Sequence, residues 1–482
     1  MAISPTRDGD RGHDPDAADS TSSGTATDGG TESASSAGPD ATADDGDLGD
    51  GATATAESPL AENGWVRRYL REHTAHALVI AVFAIYPPLY GVLLRLPGID
   101  LGVVSFAPAA FFDAFLPGTT FVISMLFLGL FAMSFDFISG YTGYLSFGHA
   151  AFYGIGAYFI VLVANGDVPF LSEGTPFVIT MLLGAILAFL AALAIGAVSF
   201  RLTGVYFAMI TLGFAQVLYE LIRNWGYVAA NPQEGPTLEG PTPEIGVPYV
   251  DSLSVALGRL AGDSFENVLG LGIDVSATLT SYYAIGLVVV CCYFAMQRII
   301  HSPFGRVMIA IRENEERARA VGYNVFWYKM AAFGFSGFFA AIAGALFAAY
   351  SGAASPDTTF YFLVTADALI VAIIGGLGTL AGPFFGSAFF EWLEDVLSSE
   401  QGGLAPYLRE GLPESVLGAD VGGVSFLEVI NAAVDGRSQL YLGIVFVLFV
   451  LFVPNGLLGS VRDRIGGPVA KRLPDYLDRY RR

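Results

Sequence analysis

The sequence predicts an all-α fold: a polytopic helical membrane bundle of about ten transmembrane helices, with the N- and C-termini both cytoplasmic. Three observations carry this. Charged residues are only 14% of the 482 while hydrophobic ones are 53%, too apolar a balance for an ordinary soluble chain. Apolar runs of about 20 residues, the length that crosses a hydrocarbon core, recur from Ala77 to the C-terminal region. Threading ten spans from inside to inside leaves 19 of the 24 Lys and Arg on the inner side, as the positive-inside rule requires.

Residues 1–62 come first and hold 14 acidic and 2 basic residues among Asp, Ser, Thr, Ala and Gly. Such a composition buries too little apolar surface to fold, so the segment reads as an acidic, disordered cytoplasmic tail or a partner-binding arm. It has no basic start followed by an apolar core and is not a secretory signal. The transmembrane domain is expected over 63–460, with spans near 77–94, 119–138, 147–164, 177–199, 202–222, 281–300, 329–350, 361–377, 382–398 and 438–458. External loops fall at 223–280 and 399–437, mostly acidic and containing Pro, Gly and short apolar pieces such as VGGVSFLEVI. Residues 461–482 form a basic cytoplasmic tail. The net charge is -21, and Lys329 and Lys471 are the only lysines. An acidic, lysine-poor chain is associated with a salt-rich cytoplasm, as in extreme halophiles.

The two cysteines, Cys291 and Cys292, are adjacent in an apolar helix and point about 100° apart, which leaves them as packing residues and offers no metal-ligand spacing. No phosphate-binding loop is present, because Lys329 precedes Met330 and Lys471 precedes Arg472, not Ser or Thr. No nucleophile, base or carboxylate dyad stands out on a soluble element, so the chain reads as non-enzymatic.

The cytoplasmic loop 301–328 holds SPFGRVMIAIRENEERARAVGYN, with four arginines and three glutamates over 302–324. Val307, Ala310, Ile311, Ala318 and Val321 share one face of a helix. Glu313 with Arg317, and Glu315 with Arg319, are i, i+4 pairs in the favourable orientation, and Gly322 is placed to stop the helix. The stretch is either a solvated connector or a rigid element that a soluble partner grips to move the bundle.

Ser336, Ala340, Gly344 and Ala348 recur every fourth residue and predict a close helix seam. GYTGYLSFGH and GGLGTLAGP interrupt the apolar pattern, and broken helices either line polar cavities or make tight turns. These breaks and the polar groups in or near spans nominate a translocation path of Asp136, Gly140, Thr142, Gly143, Ser146, His149, Gln216, Gly376 and Gly378. Asp367 and Glu391 also fall in or near spans. The competing reading for these residues is inter-helix hydrogen bonding and packing.

Five stretches resemble the permease subunits of branched-chain amino acid ABC importers, specifically the longer of the two permeases: GYTGYLSFGHAAFYGIGAY (140–158), RLTGVYFAMITLGFAQV (201–217), the 302–324 stretch, IIGGLGTLAGPFFG (373–386) and FVPNGLLG (452–459). The resemblance implies that Arg306, Arg312, Glu313, Asn314, Ala318, Ala320 and Gly322 form the element that couples to an ATPase. It further implies a second permease subunit, two ABC ATPases, an external solute-binding protein and a multi-pass location in the cell membrane. ATP would be hydrolysed by the partner subunits, with no cofactor bound by this chain and no nucleic-acid partner. Leucine, isoleucine and valine are the implied cargo; urea or short amides are the alternative, and an ion-coupled secondary transporter a third reading. After RNW the chain reads GYVAANPQEGPTLEG and departs from the family's usual run.

Overall fold

The computed structural model describes residues 79–95, 99–100, 105–106, 108–172, 174–240, 243–245, 255–256, 276–397, 438–453, 456–457 and 459–460. The tails 1–62 and 461–482, the loop 399–437 and much of 223–280 lie outside the described residues.

Each expected span is met by a helix. They are α1 (Val79–Leu93), α3 (Thr119–Thr142), α4 (His149–Ala164), α5 (Phe177–Ser199), α6 (Val205–Arg223), α7 (Ala277–Ile300), α10 (Val325–Ser351), α12 (Phe362–Gly375), α13 (Gly382–Leu397) and α14 (Ser438–Phe452). Short helices α2 (Pro108–Phe115), α8 (Pro303–Glu313), α9 (Glu315–Ala320) and α11 (Pro356–Thr359) connect them. Among the described residues, six helical segments are long and apolar enough to cross a membrane, α11 and α12 counting as one. α1, α4 and α14 are shorter apolar helices, and α13 carries Glu391, Glu394 and Asp395. Two antiparallel ladders of two residues per strand are the minor departure from an all-α chain: β1 (Ile99–Asp100) with β2 (Ser105–Phe106), and β3 (Glu244–Ile245) with β4 (Val255–Ala256).

α10 is the axis of the core, packing on α3, α4 and α5. Its small-residue face permits this. Ser336, Ala340 and Ala348 are fully buried, and a Cβ at Gly344 would strike the Tyr153 carbonyl of α4, as one at Gly156 of α4 would strike the Ala341 carbonyl. Backbone approaches this close let dispersion act along the whole crossing where lipid supplies no hydrophobic drive. α5 and α6 turn Leu182, Ile186, Leu190, Met209, Val217 and Leu221 outward, the apolar surface that a bilayer covers. Cys291 is exposed and Cys292 buried, and both are free thiols.

α1 carries Pro87 and Pro88, which lack the N–H groups that would bond the carbonyls of Phe83 and Ala84 in a regular helix. The missing donors come from α7: the Tyr282 hydroxyl donates to the Phe83 carbonyl at 2.6 Å and the Tyr283 hydroxyl to the Ala84 carbonyl at 2.8 Å. Two consecutive tyrosines answer two consecutive prolines.

At the end of the bundle away from α8 and α9, part of the 223–280 loop is pinned to the helix ends. Leu238 N–H donates to the Gly352 carbonyl at 2.8 Å, and Asn165 Oδ1 accepts the N–H groups of Glu239 and Gly240 at 2.8 and 3.1 Å. This is the stretch where the sequence leaves the family's run.

Removing both hydroxyls with Tyr282→Phe and Tyr283→Phe should leave two carbonyls unpaired, each costing about 1–3 kcal/mol. The double variant is expected to unfold at a clearly lower temperature in lipid nanodiscs, and an unchanged midpoint would remove the clamp from the account.

Candidate functional site

The five motif stretches meet at one end of the bundle, around α8 and α9. The expected single helix over 302–324 is in fact two. Asn314 leaves the helical backbone, and its Oδ1 accepts the Arg317 N–H at 2.8 Å, capping α9. An asparagine at an N-cap followed by Glu315 and Glu316 in the first turn is a favourable helix start, and it outweighs continuing α8. Val307, Ile311 and Ala318 are buried as expected, but Ala310 and Val321 are exposed, and Met308 takes a buried place. The kink between α8 and α9 rotates the second half of the stretch. Glu315 pairs with Arg319 at 3.0 Å, whereas among the described residues no ion pair joins Glu313 to Arg317, which lie on either side of the break.

Arg312, at the last turn of α8, points back into the bundle. Its Nη1 donates to the Gly140 carbonyl, one of the final carbonyls of α3 that have no partner within the helix. A cation there also suits the negative end of the α3 dipole. Asp136, fully buried one turn earlier on α3, accepts the Gly378 N–H at 2.7 Å. Gly378 has φ +82, and a Cβ on it would stand 2.5 Å from Arg312 Nη1, so both its backbone conformation and its neighbour require glycine. The Tyr141 hydroxyl accepts the Leu380 N–H at 3.0 Å, and Gly456 of the last motif packs on Gly376. The turn between α12 and α13 is thus held by α3 on one side and the chain after α14 on another.

A second tie lies beside the first. The Tyr144 hydroxyl donates to Glu315 Oε2 at 2.6 Å, and Lys329 donates to Tyr144 at 2.9 Å and to Glu315 Oε1 at 3.1 Å. The lysine is almost fully buried and sits over the rings of Tyr144 and Phe200 at 4.5 and 5.5 Å, where cation–π attraction adds to the ion pair. Phe207, from the RLTGVYF motif, stacks on Phe200 at 4.7 Å. Partial burial opposes the Glu315 charge, but hydrogen bonds from Tyr144 and Lys329 and the nearby charges of Lys329 and Arg319 outweigh it, holding this carboxyl below the ordinary glutamate range. Segment 140–144 is therefore gripped at both ends, at Gly140 by Arg312 and at Tyr144 by Glu315.

Of the residues nominated for coupling, Arg306, Arg312, Glu313, Asn314, Ala320 and Gly322 are exposed, though the Arg312 guanidinium bonds inward to Gly140, and Ala318 is buried. Of those nominated for a path, Asp136, Gly140, Gly143, Gly376 and Gly378 converge on this junction. Thr142 bonds back to the Ile138 carbonyl at 2.6 Å. His149 and Ser146 lie at the start of α4 in the core; His149 Nε2 is 3.0 Å from Ser134 Oγ, and its ring packs among Phe131, Phe135 and Phe152. Gln216 stands apart on α6, bonded to Glu220 at 3.4 Å. Lys329 and Tyr144 were not singled out from the sequence, although a buried lysine in a chain with two lysines was a signal within reach. Among the described residues, no cluster of His, Cys, Asp or Glu is arranged to hold a metal ion.

Because its folded pKa is depressed, Glu315 stabilises the protein above the ordinary glutamate range, and that contribution is lost as pH falls through the folded value. Glu315→Gln should lower the unfolding temperature at neutral pH, with the gap to the native chain closing in acid; a gap independent of pH would contradict the ion pair.

A family model described as "Branched-chain amino acid transport system / permease component" matches residues 119–413. The chain is similar to the high-affinity branched-chain amino acid transport system permease protein LivM of Escherichia coli (strain K12), 31% identical over 262 residues that make up 54% of this chain and 57% of that one. The chain thus spans little more than half the length of that relative. Shorter likenesses are to the autoinducer 2 import system permease protein LsrC of Klebsiella pneumoniae (36% over 100 residues, 20% of this chain and 29% of that one) and the xylose transport system permease protein XylH of Escherichia coli (35% over 103 residues, 20% and 26%). No solved structure matches.

Proposed function

The chain belongs to the branched-chain amino acid transport system permease family, and from that premise we propose that it is the membrane permease subunit of an ATP-driven importer for leucine, isoleucine and valine. The family and the similar proteins are transport permeases, and the chain is a multi-pass membrane protein of that class. In the proposed assembly it pairs with a second permease subunit and two ABC ATPases, which bind and hydrolyse the ATP. An external solute-binding protein delivers the cargo.

The observation that carries this reading is the two-helix stretch α8–α9. It displays charge and isolated apolar side chains outward while gripping segment 140–144 inward. Arg306, Ile309, Glu313, Glu316, Arg317 and Val321 are exposed, with Ile309 at 39% and Val321 at 73%. Apolar side chains among charges on a rigid exposed element suit a protein partner. An ATPase closing on this face would displace α8–α9 and, through the two inward ties, the ends of α3 and α10. The transport step then comes from different stabilities of two bundle conformations, without covalent chemistry in this chain.

The pair Ile309→Glu and Val321→Glu should weaken ATPase binding by about 1–2 kcal/mol or more, read as loss of co-purifying ATPase and of uptake while the chain still inserts. Retained co-purification would move the docking face elsewhere. Uptake of labelled leucine and labelled urea, with and without the gene, tests the cargo. Loss of leucine uptake alone supports branched-chain amino acids, and loss of urea uptake alone moves the cargo to the amide branch.

A further inference from the structure

Asp136 is an ionisable group where an amide would hold the fold. Its Oδ1 accepts the Gly378 N–H at 2.7 Å, a bond that an amide oxygen would make equally well. Its Oδ2 is buried and, among the described residues, has no hydrogen-bond partner. A buried carboxylate with a free oxygen is costly unless a cation serves it, and the cation at this junction is Arg312, whose Nη1 lies against Gly378, the residue that Asp136 bonds. Yet Arg312 bonds the neutral Gly140 carbonyl, four residues further along the same helix.

The two backbones and the two charged side chains meet here in close contact. Residues 140 and 378 are both glycines; a Cβ on Gly140 would strike Asp136 Oδ1, and one on Gly378 would meet Arg312 Nη1 at 2.5 Å. The guanidinium at Gly140 therefore has two kinds of acceptor beside it, the Gly140 carbonyl that it bonds and the Asp136 carboxyl group, which reaches up α3 to the same glycine. It is carried by α8, a short helix whose outer face stands free.

We propose that Arg312 is a two-position latch: in this conformation it holds the Gly140 carbonyl, and in the alternate-access conformation it transfers to the free oxygen of Asp136. This rests on the reading of α8–α9 as the ATPase-driven element. A charge-assisted guanidinium–carboxylate bond is stronger than one to a carbonyl, but gaining it means giving up the Gly140 carbonyl and reaching the buried Oδ2, a change that a displacement of α8 would drive. Each bundle state thus has its own partner for the same cation, which is what a differential stabilisation of two states demands. Arg312 and Asp136 are positioning residues, neither of which contacts cargo or nucleotide in this scheme.

Asp136→Asn is the discriminating variant, because its amide oxygen still accepts the Gly378 N–H while the charge is gone. In the complete complex, ATPases should co-purify with it as with the native chain. Uptake and substrate-stimulated ATP hydrolysis should fall by about 5- to 150-fold, the span of ordinary coupling energies. Arg312→Gln, at a position on a mainly exposed helix, should insert normally and show the same loss. Arg312→Lys, which keeps the charge, should recover part of it, and the Asp136→Asn/Arg312→Gln pair should be no worse than either single change. Native uptake in Asp136→Asn or in Arg312→Gln overturns the latch, as do losses that multiply in the double variant. Loss of ATPase co-purification in Arg312→Gln overturns it too, by making Arg312 a docking contact. Failure of the native chain itself to bring down an ATPase would instead reject the importer reading on which the latch rests.

Discussion

Inside a bilayer no water completes an interrupted helix, so every backbone group freed by a proline or a glycine must be satisfied within the protein. The interruptions within the spans follow that constraint, answered by side chains from other parts of the chain. Tyr282 and Tyr283 supply the donors that Pro87 and Pro88 lack. Asp136 and Tyr141 take the N–H groups of Gly378 and Leu380 in the turn between α12 and α13. Thr365 Oγ1 takes the Ala150 N–H at the start of α4, at 2.8 Å, and Arg312 serves the Gly140 carbonyl at the end of α3. Asp136 and Thr365, two of the polar residues buried in this bundle, are the complement of its broken backbone.

That complement also explains why the motifs converge. A glycine-rich break is tolerable only where a partner reaches it, and the partner must sit on a different element that is itself held in place. Gly140 to Tyr144 depends on α8 and α9, which depend on α10 through Lys329. The α12–α13 turn depends on α3, and Gly456 closes it from outside. Displacing one member changes the satisfaction of the others, so the junction is suited to two discrete arrangements rather than gradual deformation.

Much of this was legible in the sequence. The ten helices at the expected spans follow from the lengths of the apolar runs, because hydropathy over some 20 residues integrates a strong signal. The seam Ser336–Ala340–Gly344–Ala348 follows from its period of four. Asp136, Gly140 and Gly378 were each marked by being out of place in an apolar segment. What the sequence did not reveal is which of these residues meet, since Asp136 and Gly378 are 242 positions apart. The break at Asn314 was missed because the 3.6-residue periodicity survives a one-residue kink over so short a stretch; the capping pattern Asn-Glu-Glu was the better guide. Lys329 stands at the edge of a span, and its ammonium is buried because Glu315 and two aromatic rings receive it.

The proline–tyrosine clamp bears on how the chain is made. The Tyr282 and Tyr283 hydroxyls stand 199 residues downstream of the carbonyls they serve. At ordinary synthesis rates the ribosome needs roughly 10–40 s to cover that distance. Throughout that interval the first span lacks the donors for the Phe83 and Ala84 carbonyls, a poor fit to lipid. The first span therefore reaches its final hydrogen bonding only after the seventh helix has been made, an order of assembly written as two prolines and two tyrosines.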